Sequence, residues 1–209
     1  MFYKFYSDWA YLTKQEVGIL CSVASMGGSY EGSPTELYKL TQLKVCKTVN
    51  QDTINDMTHV IFDLESRLFL KYDFISDKKI KIDLIKRGME IKIHEILYSK
   101  IKQKHEPSVA WQIVIKLLLF LIPVEYVETK NIVLGYVLNI ETSTKIEENI
   151  PRAKESAISK SKRVLVGLNV IQDEQIKERY EIKGEEKTYT KYTIFRCAIP
   201  PEYSVNENE

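Results

Sequence analysis

Lys44, Lys47, Thr48, Asn50 and Gln51 fall close together in the chain, and their side chains suit recognition rather than bond-breaking. Asn and Gln amides can pair bidentately with adenine, and a lysine can reach guanine or a phosphate. A second cationic group, Lys78, Lys79 and Lys81, and a third, Arg152, Lys154, Ser156, Ser159, Lys160 and Arg163, with Lys191 beyond it, carry side chains that hold phosphate oxygens. Such contacts position a protein on a nucleic acid without reading its sequence.

No arrangement of residues competes as a catalytic centre. The chain has no phosphate-binding Gly-rich loop ending in Lys-Ser/Thr, no Gly-x-Ser-x-Gly, no His-Glu-x-x-His and no Tyr set beside a histidine cluster. Its tyrosines read as core and strand-face residues. His59, His94 and His105 lack metal-ligand spacing. Cys21, Cys46 and Cys197 are odd in number and contain no CxxC pair, which argues against a disulfide framework and a zinc site. Reduced thiols in a cytoplasm and no cofactor are expected.

Composition sets the frame for the elements that must carry these groups. A chain of 209 residues with 44% hydrophobic content can bury ordinary cores, as one large domain or two small ones. Its most apolar run, residues 109–124, is interrupted by Gln112 and Lys116 and ended by Pro123, so it predicts a buried helix and no membrane span. No charged segment followed by an apolar run and a small-residue cleavage site marks it for secretion. A formal net charge of +1 excludes a protein that coats nucleic acid indiscriminately. Local charge is less even. Residues 77–104 hold nine Lys/Arg against four Asp/Glu, and in 152–163 Glu155 is the lone acid among five bases. Both one basic face and a solvated lysine-rich surface fit that segregation.

The periodicity predicts an α+β, helix-rich fold: two winged helix-turn-helix domains joined by a helical connector. An aromatic arm, Phe2 to Tyr6, packs on the first module or pairs between subunits. Thr13 and Glu16 form a capping box ahead of a first helix that Gly27-Gly28 end. Ser33-Pro34 open a second helix, and a turn at 42–44 leads to a third, with Ile54, Met57, Ile61 and Leu64 as its inward stripe and Leu68 either its last member or the start of the following strand. A hairpin over 67–85 completes domain 1–85, its charged strand alternation placing the lysines at the tip. Residues 86–105 read as one amphipathic helix of a connector over 86–106, a spacer or a dimerisation element. Glu106-Pro107-Ser108 mark the boundary of a domain over 107–201, followed by an acidic tail, 202–209. In that domain an apolar helix, a short helix over 131–138, a third helix from Pro151 and two strands, 170–182 and 188–197, repeat the order. Ala153, Ala157, Ser161, Leu165 and Leu168 form the buried side of its third helix.

The opening FYKFYSDWAYLTKQEVGIL, followed by GSYEGSPTELYKLTQL, resembles the N-terminal winged-helix domains of replication initiators from plasmids, phages and integrative elements of Gram-positive bacteria. The resemblance covers residues 1–85 and implies that 44–51 and 152–163 take the groove-reading role. It leads to an expectation of sequence-specific double-stranded DNA binding in replication initiation or transcriptional control of a bacterial mobile element, with the first copy reading sequence. The second copy would supply backbone grip or a partner surface. DNA, a second copy of the chain and replication or transcription proteins are the expected partners. The alternative is a winged-helix adaptor or helicase-loading factor without strong DNA binding, because a fold does not fix a function.

Overall fold

The computed structural model describes residues 1–41, 49–76, 78–103, 110–142, 144–182 and 185–203. It is an α+β structure, with seven α-helices and three small sheets among the described residues. The first half runs β1 (Phe2–Tyr6), a 3-10 turn, α1 (Lys14–Ala24), β2 (Ser29–Gly32), α2 (Pro34–Thr41), α3 (Gln51–Ser66), β3 (Leu70–Ser76) and β4 (Lys79–Leu84). Then come β5 (Glu90–His94) and α4 (Glu95–Gln103). The second half runs α5 (Trp111–Val124), β6 (Tyr126–Thr129), α6 (Asn131–Val137), α7 (Ile150–Gly167), β7 (Ile171–Ile182) and β8 (Glu185–Cys197).

Local sequence explains the helix ends. The Thr13 hydroxyl accepts from the Glu16 N–H at 3.3 Å while the Glu16 carboxylate accepts from the Thr13 N–H at 2.6 Å, so two orphan donors of α1 are satisfied reciprocally. Ser33 and Glu36 repeat the device ahead of α2. Gly27 and Gly28, at φ of 88° and 91°, turn the chain out of α1.

The two halves match in sheet order as well as in helix order. The short strand after the first helix pairs with the second strand of the hairpin in each, giving β2-β4-β3 and β6-β8-β7. Residues 29–32 and 126–129 are too short to announce themselves by alternation, and the sequence reading had no strand there. The third helices also end alike. Leu68 and Asn169 take left-handed φ values of 60° and 57°, and the next residue donates back across the end, Phe69 to the Leu64 carbonyl and Val170 to that of Leu165. This is a Schellman closure at both sites.

Three expectations change. The segment 86–105 is not one helix, because residues 90–94 form β5, antiparallel to β1, and only Glu95–Gln103 is helical. Ile91 and Ile93 alternate with Glu90 and Lys92, a period of two that the lysine-rich context hides. The aromatic arm therefore pairs within its own chain. Leu68 joins neither the inward stripe of α3 nor β3 and is 64% exposed, since it is the residue that breaks the helix. The turn at 42–44, Asp77, Cys46, His105, the boundary at 106–108 and residues 204–209 lie outside the described residues.

The halves share one core. Helix α5 packs on the 3-10 turn Ser7–Tyr11, α1, α4 and α7, and buried residues of both halves form one cluster. Its buried groups span nearly its whole circumference, from Trp111 to Leu121. Tyr98 meets Trp111 edge-on at 5.8 Å, and Gln112 donates to the Thr41 carbonyl at 3.0 Å. Tyr203, buried beyond β8, sits beside His94 and bonds Lys100 at 2.5 Å, so the end of the second half closes on α4.

Candidate nucleic-acid interface

Helix α3 begins at Gln51, so Asn50 stands just ahead of it rather than in its first turn, and its first residues are used locally. Asn50 is the N-cap, its side-chain oxygen accepting from the Thr53 N–H at 2.9 Å, and the Gln51 amide donates to Asn55 at 3.1 Å. Lys44, Lys47 and Thr48 lie outside the described residues. The exposed stripe of the helix is Asp52, Asn55, Asp56, His59, Phe62, Asp63 and Ser66. Residues 51–66 contain no lysine or arginine. An anionic helix gains nothing from the phosphate backbone, which supplies most of the affinity in DNA binding.

The first hairpin is electrically balanced. Lys79 pairs with Glu31 at 2.5 Å and Lys81 with Asp83 at 3.2 Å, while Lys71 stands opposite Asp83 and Asp73 opposite Lys81. The hydrogen bond from Lys79 holds the Glu31 carboxyl below its usual range, and the bond to Asp83 raises Lys81. Lys78 is exposed in the turn. These pairs are solvent-exposed, so they neutralise the surface more than they stabilise it. The outer edge of β3 is closed at its middle, where the Tyr72 N–H donates to Glu65 at 2.9 Å. On the second hairpin Lys191 pairs with Glu178, and Arg179 with Glu186.

Helix α7 is different. Arg152, Ser156 and Arg163 are exposed, and Ser159 and Lys160 are half-buried on the same side. Two of its cations turn inward. The Lys154 ammonium donates to the Ile140 carbonyl and lies 5.1 Å from the Tyr136 ring centre, and burial lowers its pKa. Lys162 is buried against Asp173 at 2.8 Å. Neither inward turn follows from the helical spacing read in the sequence, because that of Lys162 depends on Asp173 of β7 and that of Lys154 on the position of α6.

Lys14, the first residue of α1, was missed by sequence reasoning. It lines a cleft against α3 with Thr53 and Asp56, and a second cleft against α7 with Ser156 and Lys160. The starts of α1 and α5 thus form an edge flanked by α3 on one side and α7 on the other. No signal in the sequence marks Lys14, because its neighbours there are tertiary.

No family model, curated protein or solved structure matches this chain. Its own residues must then carry the functional argument. Among the described residues no group of three His, Cys, Asp or Glu could hold a metal ion, and no helix is long and apolar enough to cross a membrane. Of the two described cysteines Cys21 is buried and Cys197 half-buried, and burial pushes the Cys197 thiol up to about 11, away from thiolate chemistry. What α7 offers is a polar, cationic helix face bordered by Lys14, able to hold anionic oxygens.

Proposed function

We propose that the two halves are winged helix-turn-helix modules and that the protein binds double-stranded DNA, in replication initiation or transcriptional control of a bacterial mobile element. The observation that carries this reading is the cationic face of α7, which occupies the third-helix position of a helix-strand-helix-helix-hairpin order that occurs twice. In helix-turn-helix proteins that helix enters the major groove. The roles assigned from sequence are thereby exchanged: α7 with Arg152, Ser156, Ser159, Lys160 and Arg163 faces the duplex, and Lys14 extends the cationic surface. Measuring affinity against salt on random duplex and on the element's own origin or promoter tests the proposal. Binding that weakens steeply with salt is expected; undetectable or salt-insensitive binding to both would overturn it.

The adaptor reading is favoured at the first half by the acidic stripe of α3 and its aromatic flank. Phe62 is 47% exposed and meets Tyr72 edge-on at 5.2 Å, and Phe74 is 63% exposed on the adjoining strand. Exposed aromatics of this kind anchor protein interfaces.

A further inference from the structure

We infer that a second copy of this chain docks across the edge between α3 and α7, the acidic stripe of α3 in one copy lying on the cationic face of α7 in the other. The acidic partner is Asp52, Asp56 and Asp63, all exposed on a helix whose own residues, 51–66, include no lysine or arginine. The basic partner is Arg152 and Lys160. At about 1.5 Å per residue, Asp56 and Asp63 stand roughly 10 Å apart along α3, and Arg152 and Lys160 roughly 12 Å apart along α7. Antiparallel apposition therefore sets Asp63 against Arg152 and Asp56 against Lys160. Asp63 already pairs with Arg67 at 3.3 Å, an exposed contact weak enough to be shared.

Closure comes from where the two helices lie. Asp56 and Lys160 border the two clefts that Lys14 lines, so both surfaces flank one edge of the molecule. A two-fold axis at that edge makes the same contact twice, α3 on the partner's α7 and α7 on the partner's α3. Phe62, at the border of the acidic stripe, supplies the apolar part of the contact. The regulatory consequence rests on the proposed role of α7: the dimer covers the face that would hold DNA, so dimerisation and duplex binding compete.

Sedimentation velocity at low ionic strength reads the contact directly. The wild-type chain should sediment as a dimer that added salt dissociates. Asp56→Lys with Asp63→Lys, and separately Arg152→Glu with Lys160→Glu, should each give monomers. An equimolar mixture of these two variants should restore the dimer, because the reversed α3 of one meets the reversed α7 of the other and the unaltered pair remains. Restoration also shows that both variants are folded. A wild type that is monomeric at every concentration, reversed variants that remain dimeric, or a mixture that stays monomeric would each overturn the inference. Titrating duplex into the wild-type dimer is read separately. Release of monomer on DNA supports the competition, and dimers that bind duplex intact overturn it. A chain that binds no duplex sinks the proposed function while the sedimentation result stands.

Discussion

The side-chain ammonium of Lys116 donates to the backbone carbonyl of Asn139 at 3.0 Å, and the same ammonium donates to the carbonyl of Leu12. One buried cation on α5 thus ties the loop after α6 to the start of the first half. Lys116 is 1% exposed, and burial lowers its pKa from the usual lysine range to about 8, partly offset by Glu141 and Glu16. Between that value and about 10.4 the unfolded chain binds more protons at this site than the folded one does. Stability should therefore rise with pH from about 8 upward. Above about 9 the raised thiols of Cys21 and Cys197 act in the opposite direction. Urea midpoints at pH 7, 8 and 9 should increase for the wild type and flatten in Lys116→Met. The slope is the test, because the variant also leaves two carbonyls without their donor and is less stable at every pH. An equal slope in both proteins would mean that Lys116 is not the group responsible.

Leu68 holds φ of 60° with its side chain mostly in water. A leucine there bears the left-handed cost and returns little packing, although the Schellman closure it makes is needed to start β3. Leu68→Gly or Leu68→Asn should stabilise the chain by up to about 1 kcal/mol. Thermal or urea unfolding would show it, and a loss of stability would mean that the exposed leucine covers apolar surface after all.

Gly135 marks the close approach of α6 to α7. A Cβ at that position would lie 2.8 Å from the Cβ of Lys154 and 3.3 Å from its backbone carbonyl carbon. Gly135→Ala should force the helices apart and cost about 1–3 kcal/mol. Its effect should extend to DNA affinity, since α7 moves with the contact. A variant of wild-type stability would show that the two helices have room to part.

What could be read in the sequence, and what could not, divides along the range of the interactions. The Thr13-Glu16 capping box, the Gly27-Gly28 stop and the stripe of Met57, Ile61 and Leu64 are local signals, and the structure has all three. The strand at 90–94 was hidden because Met89, Ile93, Ile96, Leu97 and Ile101 also fall at helical spacing, and only β1 decides for the strand by pairing with it. The shared core escaped notice for a related reason: Gln112 and Lys116 look like interruptions of an apolar helix, and only their partners Thr41, Leu12 and Asn139 reveal them as ties between the halves. For the site, residue type suggested which side chains could touch a nucleic acid, but not which were already engaged. Lys79 and Lys81 meet carboxylates from neighbouring strand positions, and Lys154 caps a carbonyl.

That distinction gives the sharpest prediction for DNA binding. Arg152→Gln with Lys160→Gln removes two cations from the exposed side of α7, and should weaken binding to every duplex alike while making the slope of log affinity against log salt shallower by about 2. Removing the Lys79 and Glu31 pair together, as Lys79→Gln with Glu31→Gln, changes no net charge and deletes only an exposed pair. Affinity and slope should then stay at wild-type values. Fluorescence anisotropy with a labelled duplex over a range of salt measures both. If the pair deletion weakens binding as much as the α7 change does, the first hairpin lies on the DNA backbone, with Lys79 exchanging Glu31 for a phosphate, and the groove contact returns to the first half of the chain.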